Sequence, residues 1–354
     1  MGTDKGAKEM TKKIKLGNGF LGGGEEIAIQ SMCNTPTEDV KATVAQILAL
    51  EQAGCEIIRV AVPTMEAAAA VADIKKAIHI PLVADIHFDY KLALACAENG
   101  VDKIRINPGN IGGKDNVRAV ADACRERGIP IRVGVNGGSL EKELLRKYGG
   151  VTAEALVESA MGHVHLLNDV NFNDIVISVK CSHVPTNMRA YEILHETTDH
   201  PLHLGVTEAG TPRMGELKSA IGIGGLLCRG IGDTIRVSLT ADPLQEVYAA
   251  KRILSAAGIR QTGPNLISCP TCGRTKYDMI PIAEEVERRL ENCTKPITVA
   301  VMGCVVNGPG EAGHADVGIA GGIGEGLIFR KGEILRKVPQ EKLVDELMEE
   351  IEKL

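Results

Sequence analysis

Residues 103–110 read Lys-Ile-Arg-Ile-Asn-Pro-Gly-Asn, a short β-branched run that ends on polar side chains and a turn. Similar runs recur along residues 27–240, and each is followed by a stretch rich in Ala, Leu and Glu. This alternation is typical of parallel strands joined by crossover helices. We predict eight strands, at residues 27–32, 57–62, 82–86, 103–107, 131–136, 175–180, 202–207 and 234–239. Eight βα units in about 250 residues match an α/β fold of the TIM-type (β/α)8 barrel class, with an open doubly wound sheet as the alternative.

Nearly every predicted strand finishes on charged or amide side chains. The carboxyl ends of barrel strands meet at one mouth, and side chains two residues apart share a face, so these groups are expected to converge. Guanidinium forks match phosphate oxygens, so four arginines and a lysine at equivalent strand ends predict a small polyanionic ligand such as a diphosphate. The convergent set is Arg59, Asp85, Arg105, Asn107, Arg132, Asn136, Lys180, Glu208, Arg236 and Ser238.

The composition argues against several classes of partner. The formal charge is −6 and only 3% of the 354 residues are aromatic, which is atypical of a nucleic-acid binder. The first residues lack the apolar stretch of a signal peptide, and no apolar run approaches the ~20 residues of a membrane span. We therefore expect a cytoplasmic protein that binds neither nucleic acid nor a membrane.

A second, smaller domain is predicted after the barrel. Gly263-Pro264 marks a linker, so residues 1–262 are assigned to the barrel and residues 263–354 to a small α+β domain. This domain contains an apolar-striped helix, the strand sequence ITVAVMG, a hairpin tipped by Lys331-Gly332 and a final amphipathic helix.

Three cysteines in the second domain indicate a metal centre. Cys269 and Cys272 form a Cys-x-x-Cys pair, which suits zinc as well as iron, and Cys304 follows the predicted strand. A structural zinc ribbon is normally completed by a second knuckle, and the sequence has none. Three thiolates beside a glycine-rich loop favour an iron-sulfur cluster, with Glu311 as the preferred fourth ligand and Cys293 as its rival. The alternative is a phosphate- or pterin-binding barrel with a structural zinc domain.

Ten segments, in one order along the chain, resemble the bacterial 4-hydroxy-3-methylbut-2-en-1-yl diphosphate synthases of the non-mevalonate isoprenoid pathway. They run from about residue 12 to the C-terminus: QSMCNT, IIRVAVP, VADIHF, KIRINPGN, VGVNGGSLE, SVKCS, GVTEAG, GIGDTIRVSLT, ISCPTCGRT and VMGCVVNGPGEA. The resemblance implies reductive ring opening of 2-C-methyl-D-erythritol 2,4-cyclodiphosphate to (E)-4-hydroxy-3-methylbut-2-enyl diphosphate. Two electrons would be supplied, by flavodoxin or ferredoxin, and one hydroxyl would be lost as water.

The resemblance also implies roles for individual residues. It places a [4Fe-4S] cluster on Cys269, Cys272, Cys304 and Glu311, and it makes Glu208 the acid/base of the barrel. The implied substrate contacts are Arg59, Arg105, Arg132, Lys180 and Ser238, with Asp85, Asn107 and Asn136 as polar supports.

The predicted connection between the domains indicates a dimer. A helix that follows the eighth strand runs back to the N-terminal face of the barrel, so the second domain begins opposite the mouth. A short linker cannot easily cross that distance. We expect a head-to-tail homodimer in which the cluster domain of one subunit caps the barrel of the other, and the resemblance implies the same arrangement.

Overall fold

The computed structural model describes residues 10–290, 293, 295–304 and 312–354. The chain divides into two units between Ala257 and Gly258. Among the described helices, none has the length and apolar character needed to span a bilayer.

The first unit contains a small hairpin and a barrel of parallel strands. Strands of the hairpin are β1 (Ile14–Leu16) and β2 (Gly19–Leu21). The barrel strands are β3 (Ala28–Met32), β4 (Ile57–Ala61), β5 (Leu82–Asp85), β6 (Lys103–Ile106), β7 (Ile131–Asn136), β8 (Ile175–Lys180), β9 (His203–Leu204) and β10 (Thr234–Ile235). Their order in the sheet is β8-β7-β6-β5-β4-β3-β10-β9, and a parallel bridge from Ile177 to Leu202 joins its two ends. The predicted (β/α)8 barrel is therefore confirmed, and the open sheet is wrong.

Helices follow the barrel strands as the alternation predicts. They are α1 (Val40–Ala53), α2 (Met65–Ala77), α3 (Tyr90–Glu98), α4 (Lys114–Arg127), α5 (Lys142–Tyr148), α6 (Ala153–Asn168), α7 (Val184–Thr197), α8 (Pro212–Ser219), α9 (Gly225–Leu227) and α10 (Pro243–Ala256). Several begin at a residue whose side chain accepts a hydrogen bond from the first turn, as Asp39, Thr64, Thr152 and Asp242 do. Such caps satisfy backbone N–H groups that have no partner within the helix.

The predicted strand bounds hold to within one residue for the first six strands, but the last two strands are shorter than expected. Residues 202–207 were expected to be extended, and β9 covers only His203–Leu204. The chain turns directly afterwards, and Glu208 has a φ of +52°, which lies outside the β region. The neighbouring β10 is likewise reduced to Thr234–Ile235, the two residues that pair with β9.

The N-terminal hairpin closes one end of the barrel. Ile14, Leu16 and Leu21 pack against apolar residues near the beginning of three strands, which are Ile57, Val83 and Val176. The hairpin strands have only three residues each, too few to give a periodic signal, and the sequence did not predict them. The end formed by the carboxyl termini of the strands is therefore the open one.

The second unit is a mixed α/β domain. Its elements are β11 (Asn265–Ser268), α11 (Met279–Leu290), β12 (Thr298–Met302), β13 (Val317–Gly321), β14 (Glu325–Arg330), β15 (Glu333–Pro339) and α12 (Leu343–Glu352). The strands lie in numerical order, with β11 to β13 parallel and β14 and β15 antiparallel. Lys331 and Gly332, both with positive φ, form the predicted hairpin tip. The predicted small domain with helices and a sheet is confirmed.

Candidate active site and metal-binding cysteines

A small cavity of about 170 Å³ opens at the carboxyl ends of the barrel strands. It takes side chains from seven strands or the loops that follow them. The lining residues are Arg59, Asp85, His87, Arg105, Arg132, Gly134, Asn136, Ser178, Lys180, Thr207, Arg236 and Ser238. Five of these are Arg or Lys, so the cavity suits a small molecule with more than one negative charge.

Most of the predicted substrate-contacting residues meet in this cavity. Seven of the eight line it, and they are Arg59, Asp85, Arg105, Arg132, Asn136, Lys180 and Ser238. Arg236 also lines it, although the resemblance did not place it among the substrate contacts. The signal for Arg236 was present in the sequence, because it lies two residues before Ser238 and shares its face of the strand. Ser178, which shares a strand face with Lys180, and Thr207 line the cavity as well and are not among the predicted site residues.

Asp85 joins two of the arginines. Its Oδ1 accepts a hydrogen bond from Nη1 of Arg105 at 3.0 Å, and Nε of Arg59 lies 3.7 Å from Oδ2. Burial by itself would raise the pKa of Asp85, but the neighbouring Arg59, Arg105 and Arg132 lower it to about 2. Asp85 is therefore ionised at neutral pH and holds two guanidinium groups at the cavity.

Replacing Asp85 with asparagine is expected to lower the free energy of unfolding by about 2–4 kcal/mol at pH 7, because two buried guanidinium groups lose their carboxylate. The pKa of this carboxyl is lower in the folded than in the unfolded protein, so its stabilising contribution is complete above about pH 4. It is lost as the pH falls towards 2. Denaturant unfolding of wild type and Asp85→Asn between pH 7 and pH 3 should therefore show a difference in free energy of unfolding that becomes smaller only below about pH 4.

Asp73→Asn provides the matched control, since Asp73 pairs with Lys76 on the surface. This change should alter the free energy of unfolding little at any pH. If the difference in free energy of unfolding between Asp85→Asn and wild type stays constant down to pH 3, Asp85 is not an ionised partner of the two arginines.

Arg236 has a different acidic partner, Glu246 of α10. Its Nη2 lies 3.4 and 3.3 Å from the two carboxylate oxygens. Glu246 is 5% exposed and also accepts hydrogen bonds from the backbone N–H of Leu239 at 3.0 Å and the hydroxyl of Ser31 at 3.3 Å. This carboxylate therefore connects α10, β3 and the loop that carries Ser238. A helix residue ten positions after Arg236 gives no sequence signal for such a role.

Arg132 and Lys180 have no salt-bridge partner within the described part of the chain. Arg132 is 1% exposed, and its Nε and Nη1 lack hydrogen-bond partners there. Nζ of Lys180 lies 3.3 Å from Nε2 of His203. Burial, followed by the charges of neighbouring arginines, lowers the pKa of Lys180 well below its usual value. An anion in the cavity would offset the repulsion among these cations.

Two glycines leave room for the cationic side chains. A Cβ atom on Gly134 would lie 2.5 Å from Nε of Arg105, and one on Gly205 would lie 2.5 Å from Nζ of Lys180. Arg105 also donates from Nη2 to the carbonyl oxygen of Gly134 at 3.1 Å. Glycine at both positions therefore fixes where the two cations can extend.

Two predicted site residues, Asn107 and Glu208, do not line the cavity. Oδ1 of Asn107 accepts a hydrogen bond from the N–H of Gly109 and caps the turn at Pro108–Asn110. Glu208 directly follows the lining residue Thr207, and its left-handed backbone costs about 1–2 kcal/mol for a residue with a Cβ. Backbone strain of this kind is often found at functional sites. Glu208 lies in the loop that follows β9.

Two of the predicted metal ligands lie at adjacent strand ends of the second unit. Cys269 directly follows β11, and Cys304 lies two residues beyond the neighbouring parallel strand β12. The N–H of Gly303 donates to Sγ of Cys269 at 3.1 Å. Cys272 is exposed, and hydrogen bonds involving Arg274 lower the pKa of its thiol. Glu311 lies outside the described residues.

The three cysteines fit an iron-sulfur cluster by their chemistry. No three Cys, His, Asp or Glu side chains in the described ranges converge as ligands of a single metal ion. A four-iron cluster binds its thiolates on separate irons, so convergence on one point is not required. The lowered pKa of Cys272 favours its thiolate, the form that binds metal. The rival Cys293 packs instead against the apolar core of the unit.

Relatives of this chain share almost its whole length. A protein named 4-hydroxy-3-methylbut-2-en-1-yl diphosphate synthase (flavodoxin) from Ruminiclostridium cellulolyticum is 58% identical, over 98% of this chain and 98% of its own. One with the same name from Clostridium perfringens is 61% identical, over 98% of this chain and 99% of its own.

The barrel also resembles solved structures of other enzymes. Dihydropteroate synthase from Burkholderia cenocepacia, complexed with 7,8-dihydropteroate, aligns with a TM-score of 0.50 and 14% identity. The alignment covers 71% of this chain and 99% of that one. At this level of identity the likeness concerns the fold alone.

Family models match both units. The model described as the GcpE TIM-barrel domain matches residues 11–251, and that of the GcpE protein C-terminal domain matches residues 265–353. Since the two matches follow each other along the chain and the relatives above are more than half identical, the resemblance found in the sequence is confirmed: this chain belongs to the GcpE family.

Proposed function

We propose that this protein is an enzyme that opens 2-C-methyl-D-erythritol 2,4-cyclodiphosphate reductively and forms (E)-4-hydroxy-3-methylbut-2-enyl diphosphate. The observation that carries the proposal is the cavity of four arginines and one lysine in a protein whose formal charge is −6. Such a cavity matches a cyclic diphosphate in charge. The names of the relatives support the same substrate class.

The two domains have different roles. Residues 1–262 bind the cyclic diphosphate, and residues 263–354 hold a [4Fe-4S] cluster through Cys269, Cys272, Cys304 and Glu311. When bound, the cluster would supply the two electrons of the reduction. Flavodoxin, which is part of the names of the relatives, or ferredoxin would provide these electrons.

The barrel residues bind the substrate and move a proton. Arg59, Arg105, Arg132 and Lys180 neutralise the phosphates, and Ser238 with Asn136 offers hydrogen bonds to the remaining oxygens. Asp85 holds two of the arginines and Asn107 shapes the neighbouring turn. Glu208 gives a proton to the departing hydroxyl, which leaves as water while the ring carbon–oxygen bond breaks.

Anaerobic purification followed by metal analysis and turnover tests this function. We expect broad visible absorbance, about four irons per chain, and formation of the linear diphosphate when reduced flavodoxin is supplied. Zinc without iron, combined with no turnover of the cyclic diphosphate, would favour the alternative of a phosphate- or pterin-binding barrel with a structural zinc domain. The match of both units to the GcpE family does not favour that alternative.

We further propose that the enzyme is cytoplasmic.

A head-to-tail homodimer is part of the proposal. Nζ of Lys251, in the last helix of the barrel unit, donates to the carbonyl oxygen of Ala53 at the end of α1. Helix α1 runs back from the mouth to the start of the next strand, so α10 ends at the side opposite the mouth. A cluster domain that follows α10 can serve the mouth of a second subunit more easily than its own.

Mixing two inactive variants tests the shared site. Lys180→Met impairs the barrel and Cys304→Ala impairs the cluster domain, so each homodimer should be inactive. After subunit exchange, half of the dimers are mixed and each has one intact site, so about a quarter of wild-type activity should return. Sedimentation velocity should give a dimer for every sample. If each barrel used its own cluster domain, the mixture would remain inactive.

A further inference from the structure

His203 contacts Lys180, one of the five cationic residues that line the cavity of the barrel. Its side chain is fully buried, with Nε2 3.3 Å from Nζ of Lys180 and Nδ1 2.8 Å from Oγ1 of Thr234. The three residues belong to neighbouring strands of the barrel, β8, β9 and β10, and Thr234 is the direct partner of His203 in the sheet. The hydroxyl of Tyr191 donates to the carbonyl oxygen of His203 at 2.7 Å and fixes the backbone there.

The chemistry of these groups sets the tautomer of the imidazole. When an anion in the cavity keeps Lys180 protonated, its ammonium group has three N–H donors and no acceptor, so it can bond His203 only through a lone pair on Nε2. The ring proton must then lie on Nδ1, from which it donates to Oγ1 of Thr234. Burial, and then the charges of Arg132 and Lys180, lower the pKa of His203 well below its usual value, so the ring is neutral.

We infer that His203 is a positioning residue for Lys180, whose ammonium group it holds in the cavity through Nε2 while Thr234 fixes the tautomer. The space left by Gly205 completes the arrangement, because any Cβ there would meet Nζ of Lys180. A positioned ammonium group presents its remaining N–H donors to an anion without first having to be ordered. This inference rests on the proposed function only in requiring that Lys180 binds an anionic group.

Two amide variants separate the two nitrogens of the ring. Glutamine at position 203 places an amide near the position of Nε2, where its oxygen can accept from Lys180. Asparagine is shorter, so its amide reaches only the position of Nδ1 and can bond Thr234 but not Lys180. With inorganic pyrophosphate as the probe, calorimetry should give about tenfold weaker binding for His203→Asn and a change within about threefold for His203→Gln.

The same pair of variants in a Lys180→Met background provides the control. If His203 acts through Lys180, the difference between asparagine and glutamine disappears there. Equal weakening by both amides, or a loss with asparagine that persists without Lys180, would overturn the inference. Should His203→Asn not fold, Thr234→Val replaces it, because valine conserves the volume and removes the acceptor that fixes the tautomer. Weaker pyrophosphate binding by Thr234→Val is then expected only when Lys180 is present.

The probe also separates this inference from the proposed function. Wild-type protein that binds pyrophosphate but neither binds nor converts the cyclic diphosphate would overturn the function and leave the role of His203 intact. Wild-type protein that binds neither compound would overturn both.

Discussion

Cys304→Ala is expected to lose its iron and all measurable turnover. Cys304 is buried at the end of β12, beside the residue whose N–H bonds Cys269. In the proposed cluster, loss of one of the three thiolates leaves only two strong ligands, and a carboxylate or water binds iron more weakly than the lost thiolate. Iron content and visible absorbance after anaerobic purification measure the loss, and far-ultraviolet circular dichroism checks that the fold is retained.

Cys293→Ala is the matched control for this prediction. Cys293 belongs to the same unit, but it packs against an apolar core that includes Leu290 and Ile351. We expect its replacement to keep about four irons per chain and to retain most of the activity. If Cys293→Ala loses its iron while Glu311→Ala keeps it, Cys293 is the fourth ligand and the assignment of Glu311 is wrong.

Arg132→Met is expected to change activity and stability in opposite directions. The guanidinium group is buried with two nitrogens that lack partners among the described residues, and Arg59, Arg105 and Arg236 lie near it. Loss of this cation should lower kcat/KM for the cyclic diphosphate by at least about 100-fold. The free energy of unfolding should stay equal or rise by about 1–3 kcal/mol, because a buried unpaired charge is replaced by an apolar side chain of similar volume.

Chemical denaturation and steady-state kinetics of the same preparation measure both effects. Arg127→Met serves as the control, since Arg127 pairs with Glu126 on the surface and should change the free energy of unfolding by less than about 0.5 kcal/mol. If Arg132→Met loses stability together with activity, Arg132 supports the barrel rather than the ligand.

The barrel could be predicted from the sequence because its strands are β-branched runs that end on polar residues. The bounds of β7 and β8 match the prediction to the residue, and the shared faces of Ser178 with Lys180 and of Arg236 with Ser238 follow from the alternation of side chains along a strand. The N-terminal hairpin could not be predicted in the same way, because strands of three residues are too short to show an alternation of apolar and polar side chains.

The contacts behind the cavity were beyond prediction for a different reason. Glu246 and His203 act on neighbouring cations through distances that depend on how the barrel closes, not on spacing along the chain. A single histidine in a short strand, or a glutamate in an amphipathic helix, is indistinguishable by sequence pattern from an ordinary structural residue.

The hairpin of β1 and β2 has a kinetic consequence. Because its apolar residues close the far end of the barrel in the described part of the chain, the cavity opens at the carboxyl ends of the strands. Product must leave by the route that the next substrate uses, so the two cannot be exchanged by passage through the barrel. The linear diphosphate should accordingly compete with the cyclic one for entry, and its departure sets an upper limit on the rate of successive turnovers.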